Sequence, residues 1–434
     1  MTTAEPNAAP SPPPAWWQFS LRTMFVLVTL LAIALGWLFN GPERTRRAVA
    51  SLTERGHWVF FRDGETSAST GRGDSWLPPE YFRSIAQVDF PANKKTNMDE
   101  ILALVGQLHS LEEINLSFTD VTHRGLASLS ACSSLQKLNL TGTKLTDADL
   151  APISRLTNLK SLSLEGMPLG EEAMAHLATL QSLEHLNLRD TQVSDAGIPP
   201  LLSLRSLRSL ELHSTQVGDA SVAQLARLPN LESLNIQQTK LSDRGMSSFS
   251  LIPRLKSLNL AGTGVSDEGL ARLGNCPSLE SLSLSGLPIT SPGLAGMTPL
   301  PNLQQLSLSK TRVTDAGLRH LARFPQLRRL QLEKTQITGS GFADWPGASS
   351  IEVLLLQDTQ VTDAGIAILH QSRSLRWLDV QKTAVTDAAI DSAIRLPSLE
   401  IFGFDGTNVT PAGKARWEAY LQARKSRPAP SGSE

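Results

Sequence analysis

The feature that most constrains this chain is a repeat of fixed length. Counting from Leu111, one apolar slot recurs every 24 residues, at Leu135, Leu159, Leu183, Leu207, Leu231, Leu255, Leu279, Leu303, Leu327, Ile351, Leu375 and Leu399. That makes thirteen units with no insertion or deletion between them. A chain built this way buries its apolar face by stacking like on like, so the period predicts an elongated solenoid and excludes a set of independent globules.

Each unit has two halves with different apolar spacing. In the unit Leu183–Ser206, Leu186 and Leu188 follow the leading Leu183, and their spacing of two predicts a short strand with one inward face. Val193 then precedes Ser194-Asp195, and Gly197-Ile198 opens a run spaced near 3.6, which predicts a short helix. Ser or Thr stands before the Asp slot in eleven of the thirteen units and Asp fills that slot in eight, so we expect these residues to cap helix starts. Proline closes many units, at Pro229, Pro253 and Pro277 among others, and stops the helix before the next strand. Such a unit cannot bury enough surface alone, so both ends of the stack need caps.

The spacing LxxLxLxxNxL resembles the leucine-rich-repeat family, and the units match it except at the asparagine. There the chain carries threonine in most units, from Thr119 and Thr143 to Thr383 and Thr407. The resemblance implies an α/β fold, a horseshoe with an inner parallel sheet and convex helices. By analogy with the family's asparagine ladder, the hydroxyls are expected to bond with neighbouring loop backbone. Met167 and Leu287 break the column inside GMPL and GLPI, which suggests a local change of turn. Cys132 and Cys276 share one slot six units apart; at ~4.8 Å per strand they stand roughly 29 Å apart, beyond the ~7 Å reach of a disulfide, and are expected to be core fillers.

Before the repeats lies a segment of another kind. Residues 24–39, MFVLVTLLAIALGWLF, are uncharged and apolar, and from Phe19 the stretch reaches about 20 residues, enough for a bilayer core. Trp16, Trp17 and Trp37 suit the interfaces and Arg22 the headgroups. We therefore expect one N-terminal transmembrane helix, with residues 19–39 in lipid; the alternative is a signal peptide cleaved near Ala34-Leu35-Gly36. Arg44, Arg46 and Arg47 follow the span whereas Arg22 precedes it, so the positive-inside bias puts the solenoid on the cytoplasmic side, with an exported solenoid the alternative.

The expected organisation is a disordered tail over 1–15, the anchor over 16–40, a juxtamembrane helix–strand segment over 41–84, an irregular first repeat or cap over 85–110, repeats over 111–417, and the end of a capping helix with a disordered tail over 418–434. The order FSLRT, apolar span, RRAVASL, HWVFF, YFRSIAQVDF is similar to a family of bacterial membrane-anchored leucine-rich-repeat proteins. That resemblance implies membrane attachment and binding, and brings no catalytic residues.

No chemistry stands out. The eight histidines form no HExxH pair, and there is no CxxC set, phosphate-binding loop or GxSxG elbow. A calcium role for the Asp column is the less economical reading beside helix capping, and no cofactor is expected. His185, Arg189, Glu211 and His213 converge on the inner face, but an open solenoid face offers no desolvated pocket to tune them. Asn115 and Asn139 sit in glycosylation patterns that fall on strands. With 40 basic and 41 acidic residues and few aromatics, nucleic acid is not an expected partner.

The outward places of the strands carry the remaining information. In the first nine units they are mostly Asn, Ser, Gln and Gly. Near the C-terminal end Arg329, Val353, Trp377 and Ile401 fill one column, with Leu355 beside them and Lys310, Lys334 and Lys382 on the flank. Exposed apolar side chains beside arginine and tryptophan are the material of binding hot spots. The expected function is a non-enzymatic module that binds a protein or peptide on its concave sheet; the alternatives are a structural envelope scaffold or a regulator of a membrane-associated enzyme. A C-terminal helix or tail folded over the column would remove the site.

Overall fold

The structure, a computed structural model, describes residues 47–52, 54, 58–61, 85–89 and 97–425. The expected anchor over 16–40 and both expected disordered tails lie outside the described residues. Among those described, no helix is long and apolar enough to cross a membrane.

Fifteen strands form one sheet in strict sequence order. β1 (Trp58–Phe61) pairs antiparallel with β2 (Ile85–Asp89), and every later junction is parallel and in register, beginning where Val88 lies opposite Ile114. The thirteen repeat strands, from β3 (Glu113–Asn115) to β15 (Ile401–Gly403), are three residues long with the central residue inward. Leu183, Leu186, Leu188, Val193, Ile198, Leu201 and Leu204 show how one unit fills the core: each is 2% exposed or less. Alpha-helical runs such as Glu171–Leu177 alternate with 3-10 turns such as Ala148–Arg155, where Pro152 inside the run denies a regular α ladder. The helices lie behind the sheet, which is the predicted solenoid.

Two columns act differently from their sequence-based expectation. Most of the threonines close their own turn instead of bridging loops: Thr191 Oγ1 donates to the Leu188 carbonyl at 2.6 Å, and Thr215, Thr311 and Thr383 repeat the contact, whereas Thr143 Oγ1 donates to Met167 Sδ of the next unit at 3.6 Å. That turn is tight because the residue before the threonine is left-handed, whether Gly142 (φ 66°) or Lys310 (φ 58°). At the Met167 and Leu287 breaks the left-handed slot is kept, at Gly166 and Gly286, and both apolar side chains are buried; the change comes after it, where Pro168 and Pro288 have no N–H to donate to the preceding unit and Leu169 N–H donates to the Met167 carbonyl at 2.8 Å.

The aspartates, expected to cap their own helices, instead clasp the following unit. Ser194 is a cap, accepting from Ala196 N–H at 3.3 Å, whereas Asp219 accepts from Ser242 N–H at 2.8 Å and Ser242 Oγ at 2.7 Å. Asp243–Ser266, Asp363–Thr386 and Asp387–Thr410 repeat it, and Asp99 in the first, irregular unit starts the series on Thr122. Glu171 serves in the same way for Ser194, and Ser291 for Thr314. The slots holding His123 and Gly339 lack a clasp, because neither residue has a side-chain oxygen to offer the next cap.

Both ends are covered. Ala48, Val49 and Leu52 of the helical residues 47–52 are buried in the common core, as are Met98, Ile101, Leu102 and Val105 of helix Met98–Val105. At the other end, helix Pro411–Lys425 lays Trp417 edge-on against Phe402, with ring centroids 5.6 Å apart, and Tyr420 stacks on Trp417. Cys132 and Cys276 are buried and free; burial pushes their thiols up to about 12 and about 11, so both are inert fillers.

Candidate functional site

The outward residues of the middle units are engaged with their own backbone. Asn139, Asn187, Asn235 and Asn259 each accept, through Oδ1, the N–H two residues on, at 2.9–3.1 Å. This contact finishes the strand and leaves an even polar surface. Asn115 does the same for Ser117 N–H. His185, Arg189, Glu211 and His213 do not act as a unit: Arg189 pairs with Glu165 and Asp190, and His213 Nε2 meets Gln238 Oε1 at 2.8 Å.

The surface changes over β12 (Arg329–Gln331), β13 (Val353–Leu355), β14 (Trp377–Asp379) and β15. Arg329, Val353, Trp377 and Ile401 lie side by side in register, so the strand ladder sets four consecutive residues in one column. The Arg329 guanidinium reaches past Val353 and lies over the Trp377 ring, 5.7 Å from its centroid. A cation over an indole face holds both side chains in place and limits the entropy lost when a partner seats on them. Ile401 is 53% exposed, and helix Pro411–Lys425, packed through Trp417 on the inward Phe402, leaves it open. Arg329, Val353 and Trp377 are half-buried.

Leu355 departs from its expected exposure. It occupies an outward place between Gln331 and Asp379 but is only 8% exposed, so it forms the floor of the patch. Lys310, Lys334 and Lys382 occupy the left-handed slot at the turn after each strand, which carries their side chains to the flank. Lys334 lies 3.9 Å from Asp358, and Lys310 and Lys382 are exposed.

Asp379, which the sequence reading passed over, belongs to the same surface. Burial raises its carboxyl above the ordinary range; the Gln381 N–H opposes that shift and the nearby Asp405 charge adds to it. Its neighbour in register is Gly403, where a Cβ would come within 2.9 Å of Asp379 Oδ1, so the missing side chain keeps the carboxylate reachable. The available signal was an Asp in a column otherwise held mostly by Asn and Ser. Two surface hollows, of about 310 and 340 Å³, lie beside Gly166–Pro168 and beside Arg373 and Arg376, apart from the column. The column is therefore an open face suited to an extended ligand or a protein surface.

The model of the family described as "Leucine Rich repeat" matches residues 131–154, 179–201, 227–250 and 253–274. Among solved structures, the crystal structure of an internalin from Listeria monocytogenes is similar over 83% of this chain and 94% of its own, with 20% identity and a TM-score of 0.55. A leucine-rich-repeat protein of Leptospira interrogans is 21% identical over 74% of this chain and 79% of its own, with a TM-score of 0.45. No curated protein sequence matches the chain. The matched segments keep the 24-residue period, each straddling the boundary between two units, and the internalin fold has the same architecture: the matched segments are leucine-rich repeats, and the fold is that of a leucine-rich-repeat solenoid.

Proposed function

We propose that the chain is a membrane-anchored binding module whose concave sheet captures a protein or peptide partner at Arg329, Val353, Trp377 and Ile401, with Leu355 as floor and Lys310 and Lys334 on the flank. The observation that carries this reading is the Arg329–Trp377 stack beside an exposed isoleucine on an uncovered strand column. A pre-ordered tryptophan and arginine among apolar neighbours is where binding energy concentrates.

The test is capture of a distinct partner by the whole chain, followed by titration of that partner against the Trp377→Ala variant. Loss of the indole is expected to weaken binding by about 2 kcal/mol, or roughly 30-fold. Self-association unaffected by the substitution would point to an envelope scaffold. A captured enzyme whose rate changes on binding would narrow the role to regulation.

Residues 19–39 supply the attachment to the bilayer in this reading. Ala48 is buried in the solenoid core only nine residues after Phe39, a distance of at most about 32 Å of extended chain. An anchor ending at Phe39 therefore holds the N-terminal end of the solenoid near the membrane and leaves the column at the far end. Arg44, Arg46 and Arg47 favour a cytoplasmic solenoid. A fluorescent protein fused after Glu434 is expected to be bright and alkaline phosphatase at the same place inactive; the reverse result would make the solenoid an exported receptor.

A further inference from the structure

The last strand, β15, ends on an edge that no strand covers among the described residues. At the preceding junction the edge of β14 is filled in a fixed way. Val380 and Lys382 donate their N–H groups to the Gly403 and Asp405 carbonyls at 2.7 and 2.9 Å, and the Arg376 carbonyl accepts from Glu400 and Ile401 N–H at 2.8 and 2.9 Å. One unit further on, the equivalent groups are the N–H of Phe404, the N–H of Gly406 and the carbonyl of Glu400. Among the described residues these three have no hydrogen-bond partner. The capping helix covers the core behind the strand through Trp417 and Phe402, but Glu400, Ile401, Asp405 and Gly406 remain exposed.

We propose that this edge receives a sixteenth, parallel strand from a partner protein: an extended segment in which a basic residue is followed by an apolar one. Strand addition uses main-chain bonds for affinity and alternate side chains for selection. The selection can be read from the ladder. Arg328 bonds Glu352 at 2.8 Å and Arg376 bonds Glu400 at 3.0 Å, so this place alternates in sign along the last units and ends on a carboxylate. A Lys or Arg on the incoming strand continues the alternation. Its next residue stands beside Ile401 and extends the apolar column. The exposed Asp405 adds a second carboxylate at the other end of the same edge. Two copies of this chain meeting edge to edge about Phe402 would set the Glu400 end of one against the Asp405 end of the other, an acid-on-acid contact that disfavours self-pairing. The apolar place rests on the concave-face reading, whereas the main-chain pairing stands without it.

The probe is an acetylated, amidated peptide copying Leu375–Lys382, LRWLDVQK, added to the full 434-residue chain. Its arginine falls opposite Glu400, its tryptophan beside Ile401, and the amides of these two residues face the free carbonyl. Slowed hydrogen exchange at the Phe404 and Gly406 amides is the expected result. Methylating the two peptide nitrogens that would donate to Glu400 should weaken binding about tenfold without altering the protein. Glu400→Arg should weaken it as well. No added protection, or affinity indifferent to N-methylation, overturns the proposal. Protection of the same amides in a peptide-free dimer assigns the edge to a second copy and also overturns it. Binding lost in Trp377→Ala yet indifferent to N-methylation would seat the peptide on the concave face, supporting that reading and refuting this one.

Discussion

Replacing Asp315 with alanine is expected to destabilise the solenoid locally by about 3 kcal/mol, the scale of several hydrogen bonds to a partly buried charge. This carboxylate accepts from Thr338 N–H at 2.9 Å, Thr338 Oγ1 at 2.8 Å, Gly339 N–H at 3.0 Å and Gly341 N–H at 2.9 Å. Alanine leaves three main-chain donors at the start of the next turn without their acceptor. The site has little slack, because Gly341 lies directly on the Asp315 main chain and a Cβ there would overlap the Asp315 carbonyl. The following junction cannot compensate: Gly339 stands where a clasping Asp would be, and Thr362 N–H finds only the Thr338 carbonyl at 3.2 Å. The loss should appear as faster hydrogen exchange at Gly339 and Gly341, with the first units unaffected. It should also depend on pH. Burial pushes the Asp315 carboxyl up, but the N–H groups of Gly341, Thr338 and Gly339 and the Thr338 hydroxyl outweigh it, so its folded value lies below the ordinary one. A depressed carboxylate contributes stability that is fully present above its unfolded value and is lost as pH falls through the folded value. Wild type and variant should therefore converge in acid. A gap that stays constant from neutral to acid would mean that the charge plays no part in the clasp.

The solenoid was legible because its signal is redundant: each inward slot recurs unit after unit at 24 residues, and a register error would turn every leucine outward. What the period could not show is which neighbour a polar residue serves. Asp219 lies one residue after a cap position and 23 before the next, and the two options look alike along the chain. Likewise the hydroxyl of Thr191 had an asparagine's slot but lacks its reach, and it closes its own turn. The left-handed slot was half visible as Gly142, Gly166, Gly262, Gly286 and Gly406, and half hidden because Phe118, Asp190 and Lys310 adopt the same conformation. In the candidate site, alternation identified Arg329, Val353, Trp377 and Ile401 as outward and neighbouring, while burial was beyond it: Leu355 shares their face yet is covered. Asp379 was missed because its importance depends on what is absent across the strand, at Gly403.

Trp417→Ala is expected to have a larger local effect, about 3–5 kcal/mol, the range for truncating a buried tryptophan. Trp417 is 5% exposed and closes the core through its contacts with Phe402 and Tyr420. A repeat stack is held by nearest-neighbour interfaces, and the final unit has a neighbour on one side only. Without the indole, Phe402 faces water and the stabilisation that holds β15 against β14 is reduced. Exchange should then accelerate from Ile401 back toward Trp377 and fade before β8 (Ser233–Asn235). Trp417→Phe, which keeps a ring against Phe402, should lie between. The consequence for binding separates cap from contact. Trp417 lies behind the sheet and touches no part of the concave column, yet its loss should weaken a ligand there, because the Ile401 strand is then folded only part of the time and the apparent affinity falls with that fraction. In Trp377→Ala, by contrast, affinity should fall while exchange in the last units stays slow. If Trp417→Ala accelerates exchange as much in β8 as in β15, the thirteen units unfold as one body, and the capping helix stabilises the whole stack instead of its end.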